Sequence, residues 1–277
     1  MKKNLTITVI IGFLFAVYNT GNAGNEVKRL PSKITVTCEA CGKGAIIFEY
    51  DHLNRLVKIE NIWFGDTLKI EYDKNHNPVK MDIDGEERLF QYNGNQISVS
   101  RTGLKKQPHK PDILTINPSG KLVKLIHLHY SSLVACDIIV EETIEFSYTD
   151  ETTTTTVSTK FEDNDYDDSY KSIYTPSHVK SIWQYVNVPD WLLTYTGTNL
   201  QAELWMKKNR NMQSRHEQHY FEFEFNPFEL DTYTYELDDN GYVKQINIES
   251  RTHMFGNFDK IYYSTVNIEY IPASKNE

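Results

Sequence analysis

A ten-residue phrase recurs through this chain. Tyr50-Asp51-His52-Leu53-Asn54-Arg55-Leu56-Val57-Lys58-Ile59 reappears as Tyr72-Asp73 to Met81, as Ile116-Asn117-Pro118-Ser119-Gly120-Lys121-Leu122-Val123-Lys124-Leu125, and as Leu237-Asp238-Asp239-Asn240-Gly241-Tyr242-Val243-Lys244-Gln245-Ile246. An Asp or Asn directly after a strand accepts hydrogen bonds from backbone two residues on, and Asn54, Gly120 and Gly241 stand where a hairpin needs a residue tolerant of positive φ. The flanks alternate: Ile46, Phe48 and Tyr50 against Ile47 and Glu49, then Leu68, Ile70 and Tyr72 against Lys69 and Glu71. The phrase is one β-hairpin written several times, in a sheet with one apolar face and one wet face.

This repetition predicts an all-β fold, a curled antiparallel meander or incomplete β-barrel of repeated hairpins with one short helical insert. Strands are expected near 45–50, 56–62, 67–72, 79–83, 87–92, 96–101, 112–116 and 122–130, then near 137–148, 152–160, 200–206, 219–225, 232–250 and 263–271. Because the phrase and its echoes run from Tyr50 to Tyr270, residues 24–277 are read as a single domain. The helical insert is expected at about 175–195: Thr175 caps it, Pro176 suits its first turn, Val179, Ile182, Trp183 and Val186 recur at helical spacing, and Pro189 ends it, with a second short turn from Asp190 to Tyr195.

The start of the chain is not read as part of that domain. Lys2 and Lys3, the apolar run Leu5 to Val17, and Gly21-Asn22-Ala23 have the layout of a secretory signal cleaved near Ala23, so the product is expected to be exported, either periplasmic or extracellular. With a formal net charge of −9, the chain is a poor candidate for nucleic acid or anionic lipid. Lys69, Glu71, Lys80, Asp82, Glu222 and Glu224 lie opposite the apolar face, which disfavours a lipid-facing outer wall; the apolar face is expected inside, and the protein is not expected to be transmembrane.

Candidate sites are few. Cys38 and Cys41 are spaced for a local disulfide across a tight turn between strands, with Cys136 left in an apolar run; a redox-active pair would instead be expected at a helix start. Asp163, Asp165 and Asp167 alternate as calcium loops begin, but Asp168 and Tyr174 occupy the places of the turn glycine and closing glutamate, so a solvated acidic loop competes with a weak metal site. His127 and His129 share one strand face, and His216 and His219 flank Glu217; either pair is a metal candidate or a set of ordinary strand and turn histidines. The insert gathers Trp183, Trp191 and Trp205 with Tyr185, either a plug over the apolar side of the sheet or a platform for an apolar or glycan ligand. No nucleophile elbow, phosphate loop, dinucleotide fingerprint or zinc-protease helix is spelled in the chain, and no cofactor is expected.

Tyr50-Asp51-x-x-Asn54-Arg55-Leu56 and Leu237-Asp238-x-x-Gly241-Tyr242-Val243 resemble the YD repeat of Rhs-type proteins, in which tyrosine-aspartate, two variable residues and glycine-arginine-leucine follow one another. The whole layout, with Tyr195-Thr196-Gly197-Thr198-Asn199-Leu200 in the insert and Thr232-Tyr233-Thr234-Tyr235 in the last hairpin, resembles a Bacteroidetes-type family of exported proteins described as a domain of unknown function with a porin-like fold. The resemblance implies a curled meander or incomplete barrel and carries no catalytic residues. Asn54 in place of glycine, and Asn77-Pro78 in the second copy, depart from the pattern. Asp66-Thr67-Leu68 resembles the O-glycosylation triplet of such bacteria. The expected function is non-enzymatic binding of an apolar or glycan ligand in the cell envelope. The alternative is a scaffold docking an envelope protein through a sheet edge or its acidic face, with a hydrolase ranked below both.

Overall fold

Four turns of one design organise the chain. The Oδ1 of Asp51 accepts from the backbone N–H of Leu53 at 2.9 Å and Arg55 at 3.0 Å. Asp73 does the same for Asn75 and Asn77, Asn117 for Ser119 and Lys121, and Asp238 for Asn240 and Tyr242. Three residues after each acceptor the backbone turns left-handed, with φ of 60° at Asn54, 67° at His76, 80° at Gly120 and 79° at Gly241. Glycine adopts this freely; Asn54 is used for another reason. Its side chain donates to the Ser274 carbonyl at 3.1 Å and accepts from the Ser274 N–H at 2.7 Å, tying the last described strand to the first of these turns. Asn54→Gly is therefore expected to destabilise by about 1 kcal/mol in urea unfolding, although the backbone would accept it. An unchanged midpoint would mean the tie contributes nothing.

Tyrosines near the ends of six strands share a second device. Tyr50 donates its hydroxyl to the Pro31 carbonyl at 2.6 Å, Tyr72 to Leu56 at 2.8 Å, Tyr92 to Pro78 at 2.7 Å, Tyr148 to Leu122 at 2.7 Å and Tyr270 to Val243 at 2.9 Å, and Tyr235 donates to Gln213. Each tyrosine thus clasps the preceding strand near its beginning. The basic residue after the left-handed position covers a neighbouring clasp, with Arg55 4.6 Å above the Tyr72 ring and Lys121 4.7 Å above Tyr148.

The computed structural model describes residues 28–39, 42–62, 65–102, 110–130, 139–149, 152–161, 164–199, 211–220, 229–254 and 258–274. The strands are β1 (Arg29–Cys38), β2 (Gly42–Tyr50), β3 (Leu56–Asn61), β4 (Asp66–Tyr72), β5 (Pro78–Ile83), β6 (Glu86–Asn93), β7 (Gln96–Thr102) and β8 (Asp112–Ile116). They continue as β9 (Leu122–Tyr130), β10 (Ile139–Tyr148), β11 (Thr153–Phe161), β12 (Asn164–Lys180), β13 (Asn211–Tyr220), β14 (Glu229–Leu237), β15 (Val243–Met254) and β16 (Phe258–Pro272), with one helix, α1 (Asp190–Asn199). Each strand pairs antiparallel with the next. The barrel is closed rather than incomplete, because β16 pairs with β1 through Ile34↔Ile268 and Val36↔Val266. Local turn chemistry cannot reveal that pairing, which joins the two ends of the repeat. Closure also removes the open sheet edge on which edge docking would rely.

Ile34, Phe48, Ile70, Met81, Val99, Leu114, Ile246 and Val266 point inward and form the core. Outward positions carry ion pairs such as Lys58 with Glu49 at 2.7 Å and Lys80 with Glu87 at 2.6 Å, so the apolar face is indeed the inside.

The helical insert lies later than expected. Strand β12 runs on through Thr175-Pro176-Ser177 to Lys180, absorbing Pro176 in a register shift, and residues 182–185 form a turn. Val179, Ile182, Trp183 and Val186 are buried as their spacing required, but by an irregular segment folding under the barrel. Pro189 precedes the helix instead of ending one, since proline is tolerated where the first helical N–H groups have no partner. Consecutive residues Trp191 to Thr196 are all buried, as in a helix enclosed by the wall on every side.

Candidate functional site

The inner wall changes character on β11–β15. Tyr174, His216, Asp231 and Ser250 are successive cross-strand partners, and one step along the barrel Ser172, Gln218, Glu229 and Thr252 form a parallel row with Thr155 beside Ser172. Two-residue periodicity therefore puts polar side chains where the rest of the barrel puts its core. Tyr174, His216, Asp231, Ser172 and Thr155 are buried, while Gln218, Glu229, Ser250 and Thr252 are half-buried.

His216 and Asp231 are the centre of this bay. His216 Nδ1 lies 3.1 Å from Asp231 Oδ2, Tyr233 donates its hydroxyl to the same oxygen at 3.2 Å, and Tyr174 stacks on the imidazole at 4.5 Å with 12° between the planes. The side chains of His216 and Asp231 are 9% and 5% exposed. Even so, His216 Nε2, Asp231 Oδ1 and the hydroxyl of Thr155 are buried without a hydrogen-bond partner. A buried polar atom left unpaired costs roughly 1–3 kcal/mol, so three on one wall single it out as the candidate site. Burial first, then the nearby Asp231 charge, raises the Glu229 carboxyl above its ordinary value, opposed by His216. Burial and Asp231 also push the Tyr233 hydroxyl well up.

A second polar cluster joins α1 to the opposite wall. Arg101 Nη2 donates to both Asp112 oxygens at 2.7 and 2.8 Å, His127 Nδ1 lies 3.1 Å from Asp112 Oδ1, Tyr195 donates to Asp112 Oδ2 at 2.8 Å, and Arg88 donates to the Tyr195 hydroxyl at 3.2 Å. Burial alone would raise the Asp112 carboxyl, but His127 and Arg101 outweigh it and lower its pKa to about 2. Both Asp112 oxygens are partnered, so this cluster is a lock on the helix.

Trp183 and Trp191 are buried in the core. Trp183 is fully buried, 5.1 Å from Phe48 edge to face, and Trp191 meets Phe90 at 5.4 Å and Tyr92 at 6.3 Å. Tyr185 is half-buried beside Tyr242, with Lys28 5.9 Å above its ring, and Trp205 lies outside the described residues. Asp165 and Asp167 lie in extended, paired β12 (Lys160↔Asp167) and not in a curled loop; Asp163 lies outside the described residues. Among the described residues no group of three potential ligands that could hold a metal ion occurs. Cys38 is disulfide-bonded, and Cys41 and Cys136 lie outside the described residues, as does the expected signal segment.

The histidines regroup. Three-residue spacing on a strand sends His216 inward and His219 outward, where His219 meets Glu217 at 3.4 Å, so they do not share a site. His127 joins the Asp112 cluster, and the His129 side chain lies outside the described residues. Asp231, Thr155 and Ser172 gave no motif; their signal was the polar spelling of inward positions on neighbouring strands.

Among the described residues, fold and site together define a closed antiparallel β-barrel plugged by an internal helix, with a polar bay in its inner wall. A crystal structure of a porin-like protein from Bacteroides uniformis is similar at 15% identity over 87% of this chain and 98% of that one, with a TM-score of 0.42. No family model and no curated protein matches this chain.

Proposed function

We propose that this protein is an exported, non-enzymatic binding protein of the cell envelope whose barrel faces water and holds a small glycan-like ligand in the His216–Asp231 bay. The observation that carries this reading is the set of three buried, unpartnered atoms, His216 Nε2, Asp231 Oδ1 and Thr155 Oγ1, on one stretch of wall. The half-buried Gln218 and Ser250 beside them add hydrogen-bonding groups of the kind a sugar uses. Outward Lys58, Lys69 and Lys80 support water on the outside, since a lysine facing the middle of a bilayer costs about 2–4 kcal/mol in a barrel wall. The Lys2 to Ala23 segment, laid out like a secretory signal, supports export.

Native mass spectrometry of the protein purified from its own host tests the reading. The expected result is a retained mass of sugar size that Thr155→Val, with an unaltered circular dichroism spectrum, loses or holds at least fivefold more weakly. A ligand-free protein whose amide resonances no monosaccharide or disaccharide shifts would end it.

A further inference from the structure

The outer wall changes character at the seam where the barrel closes. Thr234, Asn247, Thr265 and Thr37 are successive cross-strand partners on β14, β15, β16 and β1, and Gln245, Asn267 and Thr35 form the adjoining row. They alternate along their strands with inward residues such as Ile246, Val266 and Ile34, so they face outward, and each is half-buried or exposed. None carries a charge. On β3–β6 the outward positions are spelled in ion pairs, and such pairs frame the seam: Lys33 with Glu269 at 3.3 Å, Lys244 with Glu236 at 3.4 Å and Arg251 with Glu249 at 2.7 Å. Asparagine is disfavoured inside strands, yet Asn247 and Asn267 stand in mid-strand. The Asn247 amide is held in place: its Oδ1 accepts from Gln245 Nε2 at 2.9 Å and from the Thr265 hydroxyl at 3.5 Å. Two residues before Thr265 on the same face, Tyr263 is 52% exposed.

From this uncharged hydroxyl and amide comb, set in a charged wall and edged by an exposed aromatic ring, we infer that the seam binds an extended, uncharged polysaccharide laid across β14, β15, β16 and β1. Neighbouring strands stand about 4.8 Å apart, close to the rise of one sugar in an extended β-1,4-linked chain, so each strand of a row meets one sugar. Hydroxyl and amide side chains both donate and accept, as sugar hydroxyls do, and the Tyr263 ring offers the apolar surface on which a pyranose packs. A protein partner calls for an apolar centre that these rows lack. An anionic polymer meets Glu236, Glu249 and a net charge of −9. The seam lies on the opposite face of the wall from the His216–Asp231 bay and does not depend on it.

Affinity electrophoresis of the mature full-length protein in native gels containing glucomannan, soluble starch or carboxymethyl cellulose tests this. Glucomannan is uncharged and extended, starch is uncharged but coils, and carboxymethyl cellulose is extended but anionic. The expected result is retardation by glucomannan alone, weakened roughly fivefold by Tyr263→Ala, the worth of one aromatic contact. Asn267→Glu, which sets a hydrated charge among the rows, is expected to abolish it, while Leu89→Ala, an exposed apolar residue on β6, and Thr155→Val in the bay leave it unchanged. Absence of retardation by glucomannan, or equal retardation by starch, overturns the inference. Retardation that survives both seam variants, or is lost in Thr155→Val, overturns its placement and points to the bay instead. A dimer in gel filtration that Asn267→Glu dissolves assigns the seam to a second copy of the chain and likewise overturns it. The wild-type comparison needs no variant, so a misfolded variant still leaves the choice of polysaccharide decided.

Discussion

Replacing Asp112 by alanine is expected to lower the unfolding free energy by about 3–5 kcal/mol, the cost of breaking a buried ion pair from one side. Asp112 is fully buried and its two oxygens meet Arg101, His127 and Tyr195 at 2.7 to 3.1 Å. Its removal leaves Arg101 and the Arg88–Tyr195 pair without their common acceptor in a dry interior. Arg101 Nε already makes no hydrogen bond, with the Glu86 carboxylate 3.9 Å away. Asp112→Asn keeps an acceptor but not the charge and is expected to fall between alanine and wild type. Urea unfolding followed by tryptophan fluorescence measures both, and an alanine variant within 1 kcal/mol of wild type would show that the cluster does not hold the helix.

The same carboxyl makes stability depend on acid. Its pKa falls from an ordinary 3.8 to about 2 on folding, so its contribution is fully present above 3.8 and is lost as the pH drops toward 2. The shift corresponds to about 2 kcal/mol. The Asp112→Asn protein is expected to lack this component, so its stability curve runs flatter than wild type between pH 4 and pH 2 by about that amount.

Trp183→Ala is expected to cost about 3–5 kcal/mol through the cavity it opens. Trp183 is wholly buried beneath Phe48 at the end of the barrel where the clasped turns lie, and the Asn187 N–H from the same segment reaches the Asn54 carbonyl at 2.9 Å. Losing the indole removes the largest filler of that end. Trp183→Phe keeps part of the edge-to-face contact and is expected to recover about half of the loss. Thermal unfolding of the pair checks this, and equal melting temperatures for Trp183→Ala and wild type would mean that the end is not closed by this residue.

Much of the fold is legible in a few residues. Asp51, Asp73, Asn117 and Asp238 announce their turns because an Asx side chain binds backbone within its own neighbourhood, and Leu68, Ile70 and Tyr72 announce their facing because a strand alternates by two. The helix misled for an equally physical reason. Val179, Ile182, Trp183 and Val186 are apolar at helical spacing, but the spacing records only that each is buried, and an irregular segment beneath a barrel buries the same residues. Pro189 has two opposite meanings, helix start or helix stop, and only its surroundings choose between them.

The bay was hidden more deeply. His216 drew attention for its three-residue distance from His219, whereas its partner is Asp231 on the next strand, across a connection whose length sets no register. By itself, then, the chain determined the hairpin unit, its turn chemistry and the apolar side of the sheet, since each depends on residues a few positions apart. Closure of β16 on β1, the enclosure of α1, and the meeting of Tyr174, His216 and Asp231 on one wall were decided only by the tertiary structure, because pairing between distant strands is chosen by the packing of the whole barrel.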